Sequence, residues 1–252
     1  MSDASSYESR LDAVPRAAWD ALAGKRIFFG HQSVGQNILD GLRDVRASHP
    51  AVRLDIRETA DPSDFGAPVF AHAFVGENRN PKSKIDEFRK ILEGGVGRLA
   101  DIAFLKLCFV DIDRTTDVDG LFRYYEDAVR GLAGKFPALR IIHVTVPLTN
   151  QPAGLKAMVK KALGRYPGIQ EDNIKRNEFN ERMRGRYGSA VFDLAAREAT
   201  SLGGVKASFS RDGRTYDLLQ RAYTGDGGHL NGLGRRIAAV DLLRFLTGLQ
   251  GR

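Results

Sequence analysis

Three runs of this chain, Arg26–Phe29, Ile102–Phe109 and Arg140–Val146, are almost wholly apolar and do not alternate with polar residues. A strand buried on both faces reads this way, and such strands belong to parallel sheets covered by helices on each side. Val52–Arg57 and Ala190–Asp193 complete a set of about five strand candidates. Between the strands the apolar residues switch to helical spacing, over Val34–Ser48, Lys82–Glu93, Val118–Phe136 and a 153–187 region with room for two helices. A last helix is predicted from about Leu233 to Leu246, with Ile237, Val240, Leu243 and Leu246 as its apolar stripe. Repeated β-α alternation around doubly buried strands predicts an α/β fold with a doubly wound parallel sheet.

The 252 residues, 42% of them apolar, suffice for one such domain with a substantial core. Residues 1–17 are polar and read as an N-terminal extension, which leaves 18–252 as the domain. Lys206–Tyr216 reads as a hairpin, because Asp212-Gly213 is a type I′ turn pair. Cys108 is the single cysteine, so no intramolecular disulfide forms, and its apolar surroundings suit a small buried side chain. No basic segment leads into an apolar stretch at the N-terminus, so a cytoplasmic protein is expected unless a leader has been trimmed from a periplasmic or secreted one. No stretch approaches the roughly 18 apolar residues of a membrane span, and no membrane partner is expected.

The formal net charge is +7. Within 151–186, nine Lys and Arg residues face four Asp and Glu residues, interleaved with apolar positions at helical spacing. That pattern suits a solvated helix face, and no nucleic-acid-binding motif accompanies it. The sequence carries no signal for the oligomeric state.

In open parallel sheets, ligands bind beyond the carboxyl ends of the strands. Ser33, in Gly30-His-Gln-Ser-Val-Gly35, follows the first strand and falls on that rim. The segments Val110–Asp117 and Pro147–Pro152 share the rim, as does the loop before the last helix, which reads Tyr223-Thr-Gly-Asp-Gly-Gly-His-Leu-Asn231. The Asp226–His229 spacing lets the carboxylate accept a hydrogen bond from Nδ1–H of the imidazole, leaving Nε2 to take a proton from a hydroxyl. A serine needs such a base to act as a nucleophile, and Ser33 is the hydroxyl on the same rim. The alternative is that Asp226 and His229 cap the last helix, with Asn231 helping. Ser33 at a helix start could also bind an anion, although neither G-x-x-x-x-G-K-[ST] nor G-x-G-x-x-G is present. His31, His143, His229 and Asp226 are metal-ligand types without metal-ligand spacing, so neither a metal nor a cofactor is expected. His143 reads as a core histidine, and Lys106, inside an apolar strand, should be paired or near the strand's end.

A serine just after the first strand, joined to Asp-x-x-His before the last helix, resembles the SGNH (GDSL-like) hydrolase superfamily. FFGHQSVGQNI stands in place of that family's first block, GDGGHLNGLGRRIAAVDLL closely matches its last, and the resemblance spans about residues 25–246. It implies a flavodoxin-like three-layer α/β/α sandwich, with Ser33 as nucleophile, His229 as general base and then acid, and Asp226 as the orienting carboxylate. It also implies ester substrates, among them lipid, thioester and acetylated-sugar esters. The chain departs from the family at two places. His31-Gln32-Ser33 replaces Gly-Asp-Ser, and Cys108-Phe109-Val110-Asp111 replaces Gly-x-Asn-Asp, so Asp111 is matched but the oxyanion asparagine is not. Loss of one oxyanion donor can cost about 10²–10³ in rate, so a replacement is needed. Asn78, two residues after the matched second-block glycine Gly76, is the leading candidate, with the backbone N–H groups of Ser33 and Gly76. Gln32, Lys106 and His31 are alternatives, and His31 would either shape the acyl pocket or bond a neighbouring loop. The expected function is cleavage of a small-molecule or carbohydrate ester. Acyl transfer to a sugar hydroxyl and a non-catalytic binding domain are the alternatives.

Overall fold

A computed structural model of the chain describes residues 3–150 and 168–249. Its strands are β1 (Arg26–His31), β2 (Ile56–Glu58), β3 (Val69–Phe74), β4 (Ile102–Leu105), β5 (Arg140–Val144) and β6 (Val191–Phe192). They form one six-stranded sheet in the order β2-β3-β1-β4-β5-β6, with every neighbouring pair parallel. The helices are α1 (Asp3–Glu8), α2 (Arg16–Ala23), α3 (Ser33–Ser48), α4 (Pro81–Ile91), the short turn α5 (Gly97–Leu99), α6 (Val118–Lys135), α7 (Ile169–Tyr187), α8 (Leu194–Ala199) and α9 (Gly232–Gly248).

Side chains alternate across each strand, so a wholly apolar strand feeds two cores at once. Ile27, Phe29, Phe104 and Ile142 pack with apolar residues of α1, α2, α3, α8 and α9 on one face. Phe28, Ala71, Ala103 and Leu105 pack with α4, α6 and α7 on the other. The result is a flavodoxin-like three-layer α/β/α sandwich: β3-β1-β4-β5-β6 has the 2-1-3-4-5 order of that fold, and β2 is added outside β3. Helices α3 and α9 lie against each other closely enough that a Cβ on Gly41 would stand 2.1 Å from the Arg235 carbonyl oxygen. Asp44 and Arg235 pair across the same contact at 2.8 Å.

The sheet has one strand more than the sequence suggests. The extra strand is β3, which begins just after Pro68 and carries Ala71, His72 and Ala73 between its bulkier residues. The 3₁₀ turn Pro62–Gly66 links β2 to β3 where the other strands are separated by helices. Helical spacing therefore gives no cue that a strand has ended and another begun. The run Ile102–Phe109 leaves the sheet after Leu105 and closes in a 3₁₀ turn at Phe109–Asp111. Of the two helices expected over 153–187, the second is α7; residues 151–167 lie outside the described residues. In the expected N-terminal extension, Tyr7 and Leu11 are buried in the core beside α9, and Tyr7 Oη donates to both carboxylate oxygens of Asp241 at 2.9 Å. The hairpin forms as β7 (Ser208–Arg211) and β8 (Arg214–Asp217), with φ of 49° at Asp212 and 75° at Gly213. Among the described residues, no helix is long and apolar enough to cross a membrane.

One buried acid beneath the rim makes stability depend on pH. Glu198, on α8, is buried; its Oε2 accepts from the Leu148 N–H at 2.8 Å, and its Oε1 has no partner among the described residues. Burial pushes its carboxyl from 4.5 up to about 8, against the opposing pull of the Leu148 N–H, of Lys106 and of Arg176. A folded-state acid raised in this way holds its proton while the unfolded chain releases it, so stability falls as pH climbs from about 4.5 to 8. Glu198→Gln cannot titrate. The melting temperature of the wild type, measured relative to Glu198→Gln, should therefore decline as pH is raised from about 5 to about 8. Parallel melting curves would refute the shift.

Candidate active site

Ser33 stands at a sharp strand-to-helix junction because the first turn of α3 folds back over the last residue of β1. A Cβ on Gly35 would meet His31 Cβ at 2.3 Å, so only glycine fits that position. Ser33 is the first residue of α3, and N–H groups in a first turn have no acceptor within the helix. The Ser33 side chain is half-buried, and among the described residues its hydroxyl makes no hydrogen bond.

The two residues before it serve the turn. His31 is fully buried, with Nε2 3.1 Å from His72 Nδ1 and its ring against Phe29 and Phe74. Burial, with help from His72, holds its pKa down to about 3, so the imidazole is neutral. It thus bonds a neighbouring strand and lies beneath the rim. Gln32 donates through Nε2 to the carbonyls of Val75 at 3.2 Å and Gly76 at 2.9 Å, which joins the β1 turn to the exit of β3.

Beyond β3, the loop from Gly76 to Asn80 is held by a buried ion pair. Lys84 Nζ lies 2.6 Å from Asp111 Oδ2, with both side chains fully buried. The same ammonium donates to Asn78 Oδ1 at 2.9 Å. Asp111 also accepts from the Cys108 N–H at 2.6 Å and the Arg79 N–H at 2.9 Å. Asp111 is therefore engaged by the protein itself, and it fastens the turn after β4 to the loop after β3. The Gly76 N–H donates to the Glu87 carboxylate. Asn78 is exposed; with its carbonyl oxygen fixed by Lys84, its amide N–H bonds have no partner among the described residues. Lys106 follows the end of β4, is fully buried, and donates to Cys108 Sγ at 3.4 Å; burial lowers its pKa. His143 is a core histidine, bonded to Tyr125 Oη at 2.8 Å and stacked on Tyr187.

Across the rim, Asp226 Oδ2 and His229 Nδ1 are 2.6 Å apart. Asp226 Oδ1 accepts from the N–H groups of Gly228 at 2.9 Å and His229 at 2.8 Å. Partial burial would raise this carboxyl, but the hydrogen bonds from Gly228 and His229 outweigh it and hold it down to about 2. The cap of α9 is a separate residue: Asn231 Oδ1 accepts from Leu233 at 3.1 Å and Gly234 at 3.0 Å. With Asn231 capping the helix, Asp226 is left to orient the imidazole. The side chains of His229 and Asp226 are 44% and 57% exposed, so the pair contributes little to stability and its effect is geometric.

The loop is clamped from both sides. Asn37 Oδ1, one turn beyond Ser33 on α3, accepts from the Leu230 N–H at 3.1 Å, and the Asn150 N–H donates to the Gly227 carbonyl at 2.8 Å. Phe109 sets its edge against the His229 ring, with centroids 5.4 Å apart. No hydrogen bond joins Ser33 Oγ to His229 in this structure. His229 and Asp226 line a cleft of about 580 Å³ together with Arg79, Phe109, Arg114 and Arg176. Among the described residues, no group of three or more His, Cys, Asp or Glu is arranged to hold a metal ion.

Lys84, Asn37, Phe109 and Arg176 were not singled out by sequence reasoning. Lys84 and Arg176 had a signal, since each is a cation on the buried side of its helix, beside Ile85 and Phe88 or beside Phe179. Asn37 and Phe109 had none, because their contacts join segments distant in sequence.

No known family model matches the chain, and no curated protein matches it. Among solved structures, it is similar to a proposed platelet activating factor from Streptococcus pneumonia, at 16% identity and a TM-score of 0.51, covering 97% of this chain and 91% of that one. At that identity the likeness is one of fold. The periplasmic domain of a lipopolysaccharide acetyltransferase from Salmonella ser. Paratyphi A (12% identity, TM-score 0.45, 94% of each chain) also matches. So does a proposed GDSL-like lipase from Parabacteroides merdae (14% identity, TM-score 0.41, 90% of this chain and 96% of that one).

Removing one member of a buried ion pair leaves the other charge uncompensated, which typically costs about 3–5 kcal/mol. Lys84→Met should therefore lower the unfolding free energy by about 3 kcal/mol or more in urea titrations. A loss under about 1 kcal/mol would mean that Asp111 is satisfied without the ammonium.

Proposed function

We propose that the protein is a serine hydrolase of carboxylic esters, with Ser33 as nucleophile, His229 as general base and Asp226 as the residue that orients it. The observation that carries this reading is the Asp226–His229 pair at 2.6 Å, freed from capping duty by Asn231 and fastened through Asn37 to the helix that Ser33 begins. The resemblance to SGNH hydrolases in the first and last blocks supports the same roles. The reading requires His229 Nε2 to reach Ser33 Oγ when an ester is bound; such contacts are commonly loose in apo enzymes and tighten in the complex.

In the first step Ser33 Oγ attacks the acyl carbon while its proton passes to His229 Nε2. Asp226, held ionised by the Gly228 and His229 N–H groups, balances the imidazolium and fixes its tautomer. The oxyanion forms beside the Ser33 N–H, and the Asn78 amide is the side-chain donor in place of the family's asparagine. Lys84 makes that role workable by gripping the amide oxygen, which fixes the way the N–H bonds face. The alcohol leaves with the proton from His229, and water activated by the same imidazole releases the acyl group. An acylated carbohydrate is the substrate class we assign.

Three measurements test this. A fluorophosphonate probe should label the wild type and fail to label Ser33→Ala; a wild type that neither labels nor hydrolyses short acyl esters would remove the catalytic reading. Asp226→Asn should lower kcat by about 10³–10⁴-fold, since the imidazole loses its orienting anion. Asn78→Ala should lower kcat by about 10²-fold with little change in KM, the signature of a group that acts on the oxyanion. An unchanged kcat would exclude Asn78 as the donor.

A further inference from the structure

We propose that the cleft beside His229 is built to receive a carboxylate carried by the substrate, gripped by Arg176 from within and by Arg79 from the rim. The inference deepens the esterase reading, and it rests on that reading only for the ester part of the ligand.

Arg176 is buried, at 4% exposure, yet every polar partner it has is neutral. Nε donates to the carbonyls of Phe109 at 2.8 Å and Ile112 at 3.1 Å; Nη1 donates to Thr149 Oγ1 at 2.7 Å and Asn173 Oδ1 at 3.0 Å. No carboxylate lies within ion-pair distance among the described residues, and Nη2 has no hydrogen-bond partner there, while the residue lines the cleft. A desolvated cation ordinarily has a counter-charge in contact with it, whereas among the described residues Asp172, Asp113 and Glu198 attract Arg176 only from beyond ion-pair distance.

Arg79 supplies the second guanidinium. Its backbone is in the left-handed region, at φ 67°, and its N–H is fastened to the buried Asp111. It borders both the His229 cleft and an adjoining one of about 370 Å³ that Lys82 also lines, and it forms no ion pair among the described residues. The acids of the His229 cleft are already engaged. Asp226 holds His229, Asp172 accepts from the Arg114 backbone at 2.9 Å, and Asp113 accepts from the Thr115 N–H and hydroxyl at 2.8 and 2.6 Å. Two guanidiniums without an ion-paired carboxylate among the described residues therefore face a space of sugar size, one rigidly held and one at the mouth. Arg79 can offer a guanidinium fork that matches the planar carboxylate, and Arg176, whose Nε and Nη1 are engaged, adds the N–H bonds of Nη2. An acylated acidic sugar, with its carboxylate in this cleft and its ester at Ser33, meets both requirements.

The test uses glucuronate and its neutral methyl ester, titrated calorimetrically against the whole protein. The acid should bind at least about tenfold tighter than the methyl ester, since one charge-assisted hydrogen bond is worth that much. The gap should shrink in Arg79→Ala, whose side chain is at the surface, and in Arg176→Lys, which keeps the charge and loses the Nη2 donor. Equal binding of acid and methyl ester, no binding of either at millimolar concentration, or a gap that survives both substitutions would overturn the proposal. Hydrolysis of the acetylated forms of the two sugars separates this from the esterase reading. If both are cleaved equally and bind equally, the carboxylate subsite fails and the esterase stands. If neither is cleaved while the binding gap persists, the subsite stands and the esterase reading fails.

Discussion

The rim of this protein hangs on one buried ion pair. Lys84 and Asp111 meet at 2.6 Å out of contact with water, and between them they reach Asn78, Arg79 and Cys108. Charges in such a place are held by the attraction between them and by the hydrogen bonds that use their remaining capacity, and both conditions are met here. The consequence is mechanical. The loop after β3 and the turn after β4 are fastened into one unit, and the residues that the loop presents to the cleft inherit that rigidity.

A similar division of labour runs through the other half of the site. Asn231 takes the capping of α9, which leaves Asp226 to the imidazole; Asn37 and Asn150 take the backbone groups on either side, which leaves the loop little freedom. Gln32 and His31, the unusual residues beside the serine, belong to this scaffolding. One stitches the turn to Val75 and Gly76, and the other fills the layer beneath it as a neutral imidazole. These two positions thus hold the backbone on which Ser33 sits.

Much of this was legible in the residues. Apolar strands without alternation are buried on both faces, and with β-α alternation around them they point to a parallel sheet covered by helices. The Asp-x-x-His spacing is local, so its 2.6 Å contact follows from a short turn rich in glycine. β3 was not legible, because alanine and histidine dilute its pattern and no helix sets it apart from β2. The fate of Asp111 was not legible either. It is drawn to a lysine 27 residues earlier, and an ion pair of that kind has no periodicity to betray it.

The sequence by itself determined the layers of the fold, the placement of Ser33 at a strand-to-helix junction and the pairing of Asp226 with His229, because each depends on spacing within one short segment. Only the tertiary structure decided which polar groups are already engaged and which remain open to a ligand. Gly76, Gln32 and Asp111 are engaged, while the Asn78 amide N–H bonds, the Arg79 guanidinium and Nη2 of Arg176 have no hydrogen-bond partner among the described residues. Hydrogen-bonding capacity is used up by neighbours in space, and those neighbours come from segments that only the folded chain brings together.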